Sequence, residues 1–135
     1  MAESVSDLRV RYVETDQMGV VHHSAYLAWL EVARTDYLRG RGLSYRSLEE
    51  SGFRMPVLSL GMNYHQPARY DDELAVRARL TDTTGVRFRF DYEVLRKTDG
   101  AVLCRGWTEH VVTDLAGKPR RLPKEMIALI GDGRE

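Results

Sequence analysis

After Pro56 the hydrophobic period of this chain changes from helical spacing to two, and that change restricts the fold more than any single motif does. Upstream, Tyr26, Trp29, Leu30, Ala33 and Tyr37 recur at helical spacing, and Leu27, Ala28, Val32 and Leu38 widen the apolar surface on the flanks. Downstream, the period is two. Leu58, Leu60, Met62 and Tyr64 share one face, as do Leu74, Val76, Ala78 and Leu80, and then Val86, Phe88, Phe90, Tyr92 and Val94. A further strand over residues 101–113 is apolar on both faces in places, which suits a central position, and Asp99-Gly100 ahead of it is a hairpin turn signal. A helix this widely apolar should be buried on several sides. One such helix followed by consecutive antiparallel strands is an α+β order. The simplest packing wraps a curved antiparallel sheet around one long central helix and leaves the helix N-terminus at the sheet edge.

The element ends are punctuated. Leu8, Val10 and Tyr12 alternate with Asp7, Arg9 and Arg11, the pattern of a short opening strand. It breaks over residues 14–23, where Gly19 interrupts, and Ser24 can cap a helix beginning at Ala25. That helix stops near Gly40-Arg41-Gly42, and a shorter one runs from Ser44 to Gly52. A last strand is expected near residues 118–121, then a helix opened by Pro123. On the outward faces, Arg77 and Arg79 lie across the Thr83-Thr84-Gly85 turn from Arg87, Arg89, Asp91 and Glu93, where opposed like charges are destabilising. The expected register pairs Arg79 with Asp91 and Arg77 with Glu93, which avoids most of that repulsion.

With 135 residues, the expectation is one domain over 1–135, since two would each be too small to bury a core. Lys plus Arg and Asp plus Glu each total 20, and a zero net charge argues against a nucleic-acid partner or a membrane-coating role. It also weakens the self-repulsion that keeps monomers apart, so self-association is expected. No apolar run has the length of a membrane span. The start, Met1-Ala2-Glu3-Ser4, lacks the order of a signal peptide, and a cytoplasmic location is expected. Cys104 is the single cysteine, and without Cys/His ligand spacing no metal site is expected.

The segment from Glu14 to Tyr26 carries the chemistry. It puts a carboxylate, two imidazoles and a glycine just before a helix N-terminus, where unpaired N–H groups and the helix dipole favour negative charge. A thioester or ester carbonyl accepting one of those N–H bonds would be polarised, and its tetrahedral intermediate would be stabilised more than the ground state. A nearby carboxylate could serve as general base or nucleophile.

Asp16-x-x-Gly19-x-Val21-x-His23-x-x-Tyr26, preceded by Arg11-Tyr12-x-x-Thr15 and followed by Leu30-Glu31-x-Ala33-Arg34, resembles the signature of hotdog-fold acyl-CoA thioesterases of the 4-hydroxybenzoyl-CoA thioesterase and YbgC type. The likeness extends to Pro67-Ala68-Arg69-Tyr70-Asp71-Asp72-Glu73-Leu74 and covers nearly the whole chain. It implies that Asp16 is the nucleophile or general base. It puts the backbone N–H donor at His23, whose imidazole would orient substrate or water. Tyr12, Gly19, Val21, His22 and Tyr26 would line the substrate site. His22 stands where tyrosine or phenylalanine is common, and Ala25 where asparagine is frequent. The resemblance further implies an acyl-CoA substrate, no cofactor, and a homodimer at least, commonly a homotetramer, with the active site between subunits. Two other readings belong to the same fold, a hydratase or dehydratase and a non-catalytic acyl-CoA-binding protein; the carboxylate of Asp16 counts against the second.

Other residues read as structural. His65 and His110 are expected to be structural, and Cys104 a small core residue. Trp29 and Trp107 read as core or interface aromatics, and Glu31 and Arg34 as a helical ion pair. Of the 20 cations 17 are arginines, among which Arg69 and Arg87 are candidates for CoA phosphates.

Overall fold

The structure is a computed structural model that describes residues 3–131. Strand β1 (Glu3–Arg9) leads through a 3-10 turn (Tyr12–Glu14) to the long helix α1 (His23–Gly40) and the short α2 (Tyr45–Glu50). Strands β2 (Val57–Tyr64), β3 (Glu73–Thr83), β4 (Arg87–Arg96) and β5 (Val102–Val111) follow, then α3 (Lys124–Gly131). The strands form a five-stranded antiparallel sheet in the order β1-β3-β4-β5-β2. The period-two faces of β3 and β4 meet the buried face of α1, Tyr26, Trp29, Leu30, Ala33, Tyr37 and Leu38, in one apolar core. β5 is internal, as its two-sided apolar pattern requires. No helix among the described residues is long and apolar enough to cross a membrane.

The register matches the charges. Arg77 stands opposite Glu93 and Arg79 opposite Asp91, and the Arg77 guanidinium reaches Glu93 at 3.0 Å. A bulge between Leu80 and Asp82 then puts Asp82 opposite Arg89, which extends the alternation of sign to the turn.

The ends differ from expectation where the main chain, not side-chain pattern, decides. β1 stops at Arg9, and Tyr12 falls in the 3-10 turn with 77% of its surface exposed. Helix α1 starts two residues early, at His23, with His22 as its cap and no side-chain capping bond. The His22 N–H is held by the Glu14 carbonyl at 2.9 Å, and Ala25 N–H returns to the His22 carbonyl at 3.0 Å, so Ser24 is inside the first turn. The strand expected near 118–121 reduces to a single bridge from Thr113 to Pro119. It is cut short because Asp114 Oδ1 takes the N–H groups of Ala116 and Lys118 into a tight turn. Burial of α1 is also less complete than its composition suggests: Leu27 and Val32 remain exposed, as do Val57, Leu58 and Leu60 on edge strand β2.

The core carries a polar line. Arg34 donates to the Tyr92 hydroxyl at 3.3 Å instead of forming the expected pair with Glu31. Tyr92 and Thr108 hydroxyls are 2.6 Å apart, Thr108 lies 2.9 Å from His110 Nε2, and His110 Nδ1 lies 3.0 Å from the Met55 carbonyl. A carbonyl only accepts, so Nδ1 carries the proton. Every later donor is then fixed: Thr108 donates to Nε2, and Tyr92 donates to Thr108. Burial pushes the His110 imidazole down to about 4, so the ring is neutral.

Candidate active site

Asp16 closes a tight loop two residues after the 3-10 turn. Its Oδ1 accepts N–H bonds from Met18 at 2.8 Å and Val20 at 3.2 Å. Its own N–H donates to the Val20 carbonyl at 2.8 Å, and Gly19 N–H returns to the Asp16 carbonyl at 3.1 Å. Gly19 has a φ of 77°, the left-handed region that this turn requires and that glycine adopts without strain. Both side-chain bonds fall on Oδ1, so Oδ2 is uncommitted among the described residues. The N–H donors of Met18 and then Val20 hold this exposed carboxyl below its ordinary value, with His22 adding to the effect. Asp16 is therefore an anion at neutral pH.

The loop is docked on both sides. Val20 bridges Arg69, Val21 bridges Thr15 and also donates to the Ala68 carbonyl at 3.0 Å. Glu14, 8% exposed, brings its carboxylate to the N–H of Arg11 at 2.8 Å, the Arg11 guanidinium at 3.1 Å and the Trp29 indole N–H at 3.0 Å. Burial pushes its pKa up, but the hydrogen bonds from Arg11 and Trp29 outweigh it and the net shift is down. Helix α1 begins where this docking ends. Among the described residues, the N–H groups of His23 and Ser24 meet no acceptor, so two donors stand open at the positive end of the helix dipole.

Beside that helix start is a cleft of about 200 Å³, lined by Val20, Val21, His23, Tyr26, Tyr64 and Pro67 among others. The His23 and Tyr64 rings stack at 4.3 Å and 18°, and the Tyr64 hydroxyl donates to the His23 carbonyl at 3.3 Å. Tyr26 lies edge-on to Tyr64 and its hydroxyl accepts the Ala68 N–H at 3.1 Å. Burial raises both tyrosine hydroxyls, which stay protonated.

Of the residues singled out in the sequence, Val21, His23 and Tyr26 line this cleft, while Asp16 and Gly19 lie in the loop that leads to it. His22 caps the helix with an exposed ring, and Tyr12 packs edge-on against Tyr70 at 5.5 Å, outside the cleft lining. Among the described residues, no group of three His, Cys, Asp or Glu could hold a metal ion.

Comparison with known proteins bears on this geometry. A family model described as the thioesterase-like superfamily matches residues 10–130. The chain belongs to the thioesterase-like superfamily. The acyl-CoA thioester hydrolase YbgC of Escherichia coli O6:H1 is 33% identical over 128 residues, covering 90% of this chain and 90% of that protein. The solved structure of hypothetical protein TT1821 from Thermus thermophilus is 40% identical, with a TM-score of 0.88 over 96% of this chain and 95% of that one. That of the DHNA-CoA thioesterase from Staphylococcus aureus is 34% identical, with a TM-score of 0.86 over 90% of this chain and 82% of that one. The fold is the hotdog fold, as the sequence resemblance implied.

Two residues of this candidate site escaped sequence reasoning. Tyr64 reads as one more member of an alternating strand, and nothing local says that its ring meets His23. Glu14 reads as one carboxylate in a polar loop. Its spacing of three from Arg11 is a weak local signal, and its bond to Trp29, fifteen residues on, is tertiary.

Proposed function

We propose that this thioesterase-like protein hydrolyses an acyl-CoA thioester to a free carboxylic acid and CoA. Asp16, ionised at neutral pH, either attacks the thioester carbonyl, breaking the C–S bond to release CoA thiolate and leaving an anhydride that water hydrolyses, or takes a proton from the water that attacks and expels that thiolate. The carbonyl oxygen accepts the N–H of His23. That bond strengthens as the oxygen becomes an anion, so it lowers the barrier rather than only binding substrate. The His23 imidazole, held by Tyr64, orients substrate or water, and Val21 and Tyr26 contact the acyl group in the cleft. Tyr12, Gly19 and His22 shape the loop around it. The observation that carries this reading is the open pair of N–H groups at the start of α1, reached by a loop whose aspartate is held as an anion.

The reading includes a single catalytic unit over residues 1–135, located in the cytoplasm, needing no cofactor and working as a homodimer at least. Leu58 and Leu60 are exposed on edge strand β2, and a second copy would cover them. Arg69, whose main chain bridges the Asp16 loop, would attract CoA phosphates in a protein with no net charge.

The test is thiol release from a panel of aliphatic and aromatic acyl-CoAs. Asp16→Ala should lower kcat by about a thousandfold, and hydrolysis intact in that variant would defeat the mechanism. Binding without turnover by the unaltered protein would point to an acyl-CoA-binding role instead. A monomer by sedimentation that still turns over substrate would refute the shared site.

A further inference from the structure

We infer that Glu14 is a positioning residue of this site, whose buried carboxylate clamps the loop carrying Asp16 to the helix presenting the open N–H groups. The inference rests on the reading of Asp16 and α1 given above. The hydrogen bonds of Asp16 itself are local, to Met18, Gly19 and Val20, so they set its rotamer and the shape of its turn. They do not set where that turn sits relative to His23. Alongside the bridges of Val20 and Val21 to Arg69 and Ala68, Glu14 ties the loop directly to α1 through both its carbonyl and its carboxylate. Its carbonyl accepts the N–H of His22, the cap of α1, at 2.9 Å, and its carboxylate accepts the Trp29 indole N–H, on the second turn of the same helix, at 3.0 Å.

The chemistry at this point suits a carboxylate and no neutral substitute. All the groups that face it are donors: the Arg11 N–H, the Arg11 guanidinium and the Trp29 indole. A glutamine here would turn an N–H toward one of those donors and leave that pair unsatisfied in a buried place. A buried carboxylate is an expensive way to gain stability, because desolvation offsets most of the attraction. It is a precise way to fix a geometry, and catalysis depends on geometry: misplacement of a reacting group by about 1 Å can cost about a hundredfold in rate.

The experiment uses the full chain with Glu14→Gln and, as a milder variant that keeps the carboxylate, Trp29→Phe. Expected for Glu14→Gln is a fall in kcat of about tenfold, with KM within about twofold. Trp29→Phe should change kcat in the same direction by less, and the double variant should lose no more than Glu14→Gln alone, because both remove one clamp. Amide resonances of residues 16–23 should shift together in both variants while those of Thr83 and Arg87, at the turn between β3 and β4, stay in place. A purely stabilising role would lower the melting temperature and leave the folded-state loop spectrum and kcat unchanged, and that result overturns the inference. If Asp16→Ala keeps full activity, the reading of Asp16 falls and takes this inference with it. If Asp16→Ala is inactive but Glu14→Gln keeps its kcat, the inference alone falls.

Discussion

Acid should destabilise this protein through His110, starting above the range in which its carboxylates take up protons. The ring is 1% exposed and sits in a chain of hydrogen bonds with one direction: Arg34 to Tyr92, Tyr92 to Thr108, Thr108 to Nε2, and Nδ1–H to the Met55 carbonyl. A second proton has to go on Nε2. It would face the Thr108 oxygen, leave the Thr108 hydroxyl proton without an acceptor and bury a charge. The folded-state pKa is accordingly down to about 4, against an ordinary 6.5. Above 6.5 both folded and unfolded chains hold a neutral ring. As pH falls from 6.5 toward 4, the unfolded chain gains a proton that the folded one refuses, so stability is lost across that window. A separation of about 2.5 units amounts to about 3 kcal/mol, with a slope near 1.4 kcal/mol per pH unit. That is a large share of the roughly 5–15 kcal/mol typical of a domain.

The assay is urea unfolding at half-unit steps from pH 7.5 to 4, on the unaltered protein and on His110→Gln. Glutamine does not titrate and can still donate to Met55 and accept from Thr108. Its absolute stability matters less than its slope, and the exposed His22, His23 and His65 are common to both proteins and cancel. The unaltered protein should lose about 2 to 3 kcal/mol more than the variant by pH 4. Parallel curves, or a His110 resonance that titrates near 6.5 in the folded state, would refute the reasoning.

Two further outcomes follow from the geometry. Because Met18 and Val20 hold the Asp16 carboxyl below its ordinary value of 3.8, the anion proposed as catalytic should persist as pH falls, and kcat/KM should not show an acid limb with a midpoint at 5 or above while the protein is folded; a pH-rate profile run with a fluorescence check of folding decides this. In Gly61→Ala the added Cβ would meet Trp107 Nε1 at 2.6 Å, and because the indole is held by Arg89 over its face at 4.7 Å, the variant should lose about 1–3 kcal/mol, measured by thermal melting.

What was legible in the sequence is what repeats. The strands, the helix face from Tyr26 to Tyr37 and the Arg77–Glu93 register all follow from alternation of size or sign over many residues, and tertiary packing reinforced each of them. The loop residues of the candidate site were legible through a resemblance, and as residue types they show acid, imidazole and glycine ahead of a helix. The start of α1 was misplaced by two residues because Ser24 is a good cap by type, whereas the decision lies with the Glu14 carbonyl holding His22. Tyr12 was misplaced because its alternation with Arg9 and Arg11 ends where Val10 N–H and Asp71 N–H exchange bonds with the carbonyls of Asp72 and Val10, turning the chain out of the strand.

These misses share a cause that also explains why the site sits where it does. A regular element satisfies its main chain internally, so its side-chain pattern is free to report its environment. Over residues 10–22 the main chain is satisfied by partners far along the sequence, Ala68 for Val21 and Asp72 for Val10, and side-chain type says little about position. The same arrangement suits the role proposed for Asp16. A loop made rigid by distant main-chain bonds and one buried carboxylate can hold a charged side chain in a fixed place while leaving it exposed.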